Sequence, residues 1–256
     1  MSTTTATGRL RALAHAELTL LFRNKSAVVT ALFVPLMLPF SVRPAMRQMD
    51  LKAAGLTMGA VTATAAIGFS LLFAVYTSLV SVFAARREEL VLKRLRTGEL
   101  GDAEILAGAA LPAVCVGLVQ SVILAVGCTA LLDAGTPRAP HLIFLGLLLG
   151  LVLCAALAAV TASFSRTVES AQVTALPLLF VSMLGSGIAI PSSLLPGKIA
   201  SVCALLPLSP AVRLVRAGWS GGLSAYGILG AVATGTAWVV VAVLAVRRWF
   251  RWDPRR

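Results

Sequence analysis

Six long apolar segments without Asp, Glu, Lys, Arg or His constrain this sequence more than any other feature. The segments are Ser26–Val42, Leu56–Ala85, Ile105–Leu132, Leu142–Phe164, Ala171–Ile190 and Ala225–Val246. Crossing the hydrocarbon of a bilayer takes about 20 helical residues, with a range of about 17–25. The sequence therefore predicts an all-α polytopic membrane protein with six transmembrane helices and no independent soluble domain.

Composition agrees with this fold class and bears on the partners. The chain is 58% hydrophobic and 12% charged, whereas a soluble domain carries about 25% charged residues. Its net charge of +12 does not indicate nucleic-acid binding, because the charges lie between the apolar segments. The four cysteines, Cys115, Cys128, Cys154 and Cys203, lack ligand spacing, so we expect neither a disulfide nor a metal site.

The distribution of Lys and Arg among the connections predicts the orientation. With a cytoplasmic N-terminus, seven basic residues face outside and the other 15 of the 22 face the cytoplasm. The seven are Arg43, Arg47, Lys52, Arg138, Lys198, Arg213 and Arg216. Because cytoplasmic loops carry an excess of positive charge, we predict a multi-pass protein of the cell membrane with both termini cytoplasmic.

The uncharged spans also bear on the energy source. Proton- and ion-coupled carriers generally place ionisable residues at membrane depth, although a Na⁺ site built from backbone carbonyls stays possible. We therefore expect the energy for any transport to come from outside the bilayer.

Motifs for chemistry are lacking in the chain itself. The Gly-Lys of a phosphate-binding loop occurs at Gly197-Lys198, but Ile199 follows where Ser or Thr is required. The His-Glu-x-x-His signature of metallohydrolases is absent from the sequence, which contains only two histidines, His15 and His141. We predict a protein that is not an enzyme and carries no cofactor.

The connection Arg86–Glu104, which we call the finger, holds the most informative charges. Glu89 and Lys93 form an i,i+4 pair that supports a helix continuing beyond the membrane. Gly98 stops that helix, and Asp102 is placed to cap the helix that re-enters at Ile105. The pattern predicts a helix–turn–helix of mixed charge on the cytoplasmic face. The alternative, which charge alone favours, is a solvated loop that only obeys the positive-inside rule.

Two further connections have distinct patterns. Apolar and polar residues alternate at helical spacing over residues 8–25, which predicts an amphipathic helix on the cytoplasmic membrane surface. Glu17 interrupts the apolar face of this helix. This carboxylate either pairs with a basic residue or reaches water. Residues 191–218 contain apolar runs too short to span, broken by prolines and glycines. They predict re-entrant or interfacial helices on the outer side, or else a loop that covers the helix ends.

A small-residue pattern occurs in the fourth predicted span. Gly146 and Gly150 are four residues apart, a spacing that lets two helices approach closely. We interpret it as packing within the chain.

Several stretches, in order, resemble those of ABC-2-type transporter permeases. They are Glu17–Asn24 with the Pro35-containing span after it, Leu92–Thr97 with Glu104–Leu106, Gly185–Pro196, and Leu205–Pro210 with Arg213–Arg216. Each motif is loose alone, but their order and spacing cover nearly the whole chain.

The resemblance implies the membrane subunit of an ATP-driven exporter with a separate ATPase subunit. Two copies, or one copy and a paralogue, would pair with two ATPase subunits, surrounded by membrane lipid. The residues implied in contact with the ATPase are Glu17, Glu88, Glu89, Lys93, Arg94 and Arg96. The uncharged spans suit a hydrophobic or amphiphilic cargo, such as a drug, a natural product or a lipid-linked molecule.

Two other classes of function stay open at this point. A secondary transporter would work without ATP, and its transport would survive ATP depletion. A membrane scaffold or assembly factor would not transport, and disruption of its finger would leave efflux untouched while another complex failed to assemble.

Overall fold

A computed structural model describes residues 56–96, 101–131, 134–191 and 194–250, together with Met37, Ser41, Pro44 and Leu51. The predicted interfacial helix 8–25, with Glu17, lies outside these residues. So does the first predicted span, Ser26–Val42, apart from Met37 and Ser41.

The regular structure of the described residues is helical throughout, which confirms the all-α prediction. The helices are α1 (Met58–Ser70), α2 (Ser78–Glu88), α3 (Val91–Arg96), α4 (Asp102–Leu131), α5 (Pro140–Phe164), α6 (Val168–Gly185), α7 (Gly197–Ala204), α8 (Ser209–Ser220) and α9 (Ala225–Trp249). Five helical segments are long and apolar enough to cross a membrane, or six if α7 and α8 together form one span. The second to sixth predicted spans each overlap one of the five segments.

The continuous segment Met58–Glu88 forms the centre of the helix packing. It is 31 residues long, and 72% of its most apolar stretch is buried, compared with 17% for α9. Ala63, Ala65 and Ala66 are fully buried. Because small side chains let helix backbones approach closely, α1 can be surrounded by its neighbours.

A π-helical stretch, Leu71–Thr77, joins α1 to α2. The hydroxyls of Thr77 and Ser78 both donate to the carbonyl oxygen of Phe73, at 2.8 and 3.2 Å. Such irregular turns survive at membrane depth when side chains satisfy the backbone groups they release. π-helical turns are frequent at functional sites, which makes this stretch a place to look for one.

Close glycine contacts hold α5 against the rest of the bundle. A Cβ atom on Gly146 would lie 2.7 Å from the carbonyl oxygen of Ala211 in α8, and one on Gly150 would lie 2.6 Å from Leu71 Cδ1. The Gly146–Gly150 pattern therefore packs within the chain, as the sequence predicted.

The fifth span is shorter than predicted. It ends at Gly185 rather than Ile190, and residues 186–190 are not helical. Gly187 has a φ of +79°, a left-handed conformation that favours glycine over other residues. This conformation interrupts the helix that the apolar run alone predicted.

Helices α7 and α8 occupy the predicted broken segment and are bent by 109° relative to each other. Pro207 lies between the two helices, in agreement with the predicted break. Their re-entrant placement stays a prediction.

The helix bundle has two ends, which we call the finger end and the bent-pair end. The finger end carries the finger, the α5–α6 connection and the end of α9, where the rings of Phe164 and Trp249 lie 6.0 Å apart. The bent-pair end carries α7, α8 and the α4–α5 connection. There Arg138 Nη1 donates to the carbonyl oxygen of Ser220 at 3.1 Å.

Candidate coupling site at the finger end

The finger begins with a sharp turn rather than an extended helix. Helix α2 ends at Glu88, and Leu90 has a φ of +60°, which costs a non-glycine residue about 1–2 kcal/mol. The turn directs α3 against α2 and α4, where the Leu92 side chain is buried. The prediction of one helix running through Glu89 and Lys93 is therefore wrong, because the break falls between these residues.

The finger ends where α4 begins, three residues before the predicted start at Ile105. Asp102 is the first residue of α4 and not the residue that precedes it, so the predicted cap position is wrong. Glu104 instead accepts a hydrogen bond from the backbone amide of Gly101 through Oε2, at 2.9 Å. A carboxylate that reaches back in this way satisfies an amide that a helix start leaves open.

Arg87 is the largest fully buried side chain of the described residues. It is 0% exposed. Its Nη1 donates to the carbonyl oxygen of Ala162 at 2.8 Å, and its Nη2 donates to that of Ser165 at 2.5 Å. These carbonyls lie at the C-terminal end of α5, where the helix dipole and the unpaired carbonyls favour a cation. Arg87 thus fixes the end of α2 to the end of α5.

Glu88, the next residue, makes the complementary contact. Its Oε1 accepts a hydrogen bond from the amide of Val168 at 3.2 Å. That amide belongs to the first residue of α6, and a helix N-terminus favours an anion. Thr167 and Ser170 add a capping box to the same turn. We call Arg87 and Glu88, with their partners at 162, 165 and 168, the Arg87–Glu88 clamp.

The clamp joins three helices at one point. The cation Arg87 bonds to the C-terminal end of α5, and the anion Glu88 bonds to the N-terminal end of α6. Helix α2 is therefore bonded to both sides of the α5–α6 connection. Arg87 was not among the residues predicted for coupling. The sequence offers no signal for it, because Arg86 and Arg87 are adjacent and chemically identical.

The structure describes only some of the other residues predicted to contact an ATPase. Glu89 and Arg94 are exposed. Lys93 and Arg96 belong to α3, but their side chains lie outside the described part of the structure, as does Glu17 entirely. Contact of these six residues with a partner stays a prediction.

A groove of about 430 Å³ lies between the π-helical stretch and α6. Its lining consists of Phe73, Thr77, Ser78, Ser81, Gln172, Ala175, Leu176 and Leu179. Half of these side chains are polar and half are apolar, as expected of a site for a molecule with both characters. The sequence alone does not identify the lining of this groove, because the groove depends on which faces of two distant helices meet.

Metal chemistry has no support in the part of the chain that the structure describes. No group of three His, Cys, Asp or Glu side chains there is placed to hold a metal ion. All four cysteines are free.

Comparison with known proteins adds one match. A family model described as "ABC-2 type transporter" matches residues 8–219. The matched region contains the finger, the clamp, the groove and the bent pair. A search of curated proteins found no match.

Proposed function

This chain belongs to the ABC-2 type transporter family, and we propose that it is the permease subunit of an ATP-driven exporter whose ATPase is a separate chain. The membrane chains of this family are transport subunits and not enzymes. ATP hydrolysis is therefore assigned to the partner, and the finger end is assigned to the cytoplasm.

The Arg87–Glu88 clamp is the observation that carries the coupling step of this proposal. The ATPase subunit contacts the exposed side of the finger, including Glu89 and Arg94. Movement of the finger pulls on the end of α2, which is bonded to α5 through Arg87 and to α6 through Glu88. The three helices then shift as one body, in the manner of other rigid-body transitions.

The groove beside the π-helical stretch supports the proposed substrate class. It lies close to the clamp, since Gln172 is one helical turn from Val168. A hydrophobic or amphiphilic molecule from the cytoplasmic leaflet would place its apolar part on Phe73 and Leu176 and its polar part on the hydroxyls. Because α2 and α6 move together in this proposal, the groove between them would be carried along relative to the remaining helices.

The assembly follows from the single finger of each chain. One finger engages one ATPase subunit, so we propose that two copies, or this chain and a paralogue, act with two ATPase subunits. Substances such as drugs, natural products and lipid-linked molecules fall within the proposed substrate class.

Charge reversal in the finger tests the coupling proposal directly. We would co-purify the chain with an ABC ATPase that lacks membrane spans and is encoded beside it, and measure the ATPase rate in nanodiscs. Glu89→Lys combined with Arg94→Glu reverses two exposed charges without changing the net charge. We expect weaker association and loss of any stimulation of the ATPase by the permease.

A matched control keeps this test specific. Arg248→Asp combined with Asp253→Arg reverses two charges near the C-terminus, on the same predicted side of the membrane, and leaves the net charge unchanged. The control should associate like the wild type. If the finger variant also behaves like the wild type, the assignment of the finger as the ATPase contact is wrong.

A further inference from the structure

A second pocket opens at the bent-pair end, remote from the clamp. Its volume is about 350 Å³, and it lies between the end of α6, α7 and the outer face of α8. Arg213, Arg216 and three serines, Ser186, Ser201 and Ser209, contribute to its lining. Two arginine side chains and several serine side chains in one pocket lining form a set suited to an oxyanion.

The backbone around the pocket is shaped to receive Arg216. Its Nη2 donates to the carbonyl oxygen of Gly187. A Cβ atom on Gly187 would lie 3.0 Å from that same nitrogen, and the φ of +79° there disfavours other residues. Glycine at 187 therefore provides both the conformation and the space that fix the guanidinium at the pocket wall.

Arg213 adds a second positive charge to the same wall. It lies three residues before Arg216, so the two side chains share one face of α8. Arg213 is exposed.

The Ser186 hydroxyl is a second, independent indication of a ligand site in this pocket. Ser186 is 4% exposed, and its Oγ has no hydrogen-bond partner among the described residues. Buried polar atoms are nearly always hydrogen-bonded in native proteins. By contrast, the hydroxyls of Ser201 and Ser209 already donate to the carbonyls of Gly197 and Cys203. Ser186 is the serine of this pocket with a proton left to donate.

Helix α7 gives the pocket an apolar border. Ile199, Val202 and Leu205 are 51%, 67% and 64% exposed, although the helix lies beside charged groups. Exposed aliphatic side chains of this kind fit contact with lipid chains in a membrane protein. A ligand here would meet positive charge at its head and apolar surface along its tail.

We propose that this pocket binds the phosphate headgroup of an amphiphile in the leaflet at the bent-pair end. Arg213 and Arg216 hold the phosphate oxygens, Ser186 donates a further hydrogen bond, and the acyl chains lie along α7. Basic pockets between transmembrane helices bind lipid headgroups in this way. The proposal does not depend on an ATPase, so it stands or falls separately from the coupling mechanism.

The test uses the purified full chain in a neutral detergent. Dihexanoyl phosphatidylglycerol is titrated while the thermal midpoint is followed by tryptophan fluorescence, with dioctanoylglycerol as a probe that lacks the phosphate. We expect the midpoint to rise with the phospholipid and not with the diacylglycerol. Arg213→Gln should weaken the apparent affinity roughly tenfold, because one charge-assisted contact is lost.

Lys198→Gln is the matched control. Lys198 is an exposed cation at the same end, on α7 but outside the pocket lining, and its variant should bind like the wild type. Ser186→Ala, which removes no backbone contact, should weaken binding roughly threefold. Arg216 is left intact because its bond to Gly187 also supports the fold.

The remaining outcomes separate the sources of phosphate. Inorganic phosphate that binds as tightly as the phospholipid, with the same dependence on Arg213, would support an anion pocket supplied by free phosphate instead of lipid. Equal binding by Arg213→Gln and Lys198→Gln, or equal stabilisation by dioctanoylglycerol, would overturn the proposal.

Discussion

The two ends of the helix bundle use charged residues in opposite ways. At the finger end, the charged groups of Arg87 and Glu88 form hydrogen bonds with the ends of α5 and α6. At the bent-pair end, Arg213 is exposed on a pocket wall, and the helices are held by glycine contacts such as that of Gly146 with α8. A basic residue beside a membrane span can thus stabilise the packing of helices or be available to bind a ligand. Its position in the sequence does not distinguish these two roles.

The largest expected effect comes from removal of the buried cation. Arg87→Met should destabilise the folded chain by about 3 kcal/mol, because it deletes two charge-assisted hydrogen bonds to carbonyls at the end of α5. Arg87→Lys should recover part of the loss. The free energy of unfolding in detergent measures both.

Arg166→Met provides the comparison for that variant. Arg166 is exposed on the same α5–α6 connection, so its loss should change stability by less than about 0.5 kcal/mol. If Arg87→Met is no more harmful than Arg166→Met, the clamp does not fasten the finger end.

A smaller loss of stability is expected from substitution of Gly146, at the bent-pair end. Gly146→Ala places a methyl group 2.7 Å from the backbone oxygen of Ala211, and a backbone atom cannot move aside as a side-chain tip can. We expect a loss of about 1–3 kcal/mol in unfolding free energy. Similar stability of the wild type and this variant would show that close packing does not hold the bent-pair end.

Gly230→Ala is the matched substitution on α9. No atom lies within 4 Å of a Cβ atom at this position. The variant should be neutral or more stable by up to about 1 kcal/mol, because alanine has the higher helix propensity.

The smallest effect should come from the exposed half of the clamp. Glu88→Gln removes a charge near the N-terminus of α6 but leaves a side chain that can still accept a hydrogen bond. We expect a loss of about 0.5 kcal/mol at low ionic strength, and a smaller loss in high salt because exposed charges are screened.

Glu89→Gln serves as its control, since Glu89 is exposed and lies beyond the end of α2. It should leave the unfolding free energy unchanged at both salt concentrations. A salt-independent loss in Glu88→Gln would indicate that its contact with α6 is not electrostatic.

Where sequence prediction succeeded, the signal was local. A run of apolar residues forms a membrane helix because its backbone must bond to itself in lipid, so α4, α5 and α9 lie within a few residues of their predicted limits. Pro207, between two short apolar runs, marked the break between α7 and α8. The fifth span was predicted too long, because the sequence does not show that Gly187 has a left-handed backbone conformation.

The sequence by itself determined the membrane class, the helical spans, the broken segment and the family resemblance. Only the tertiary structure decided that Arg87 is buried while Arg94 is exposed, that Leu90 turns the finger, and which side chains line the two pockets. The physical reason is that apolar length and helix breaks act along the chain, whereas burial depends on how each helix is rotated against its neighbours. That rotation is set by contacts between residues far apart in sequence, such as Arg87 with Ala162 and Gly146 with Ala211.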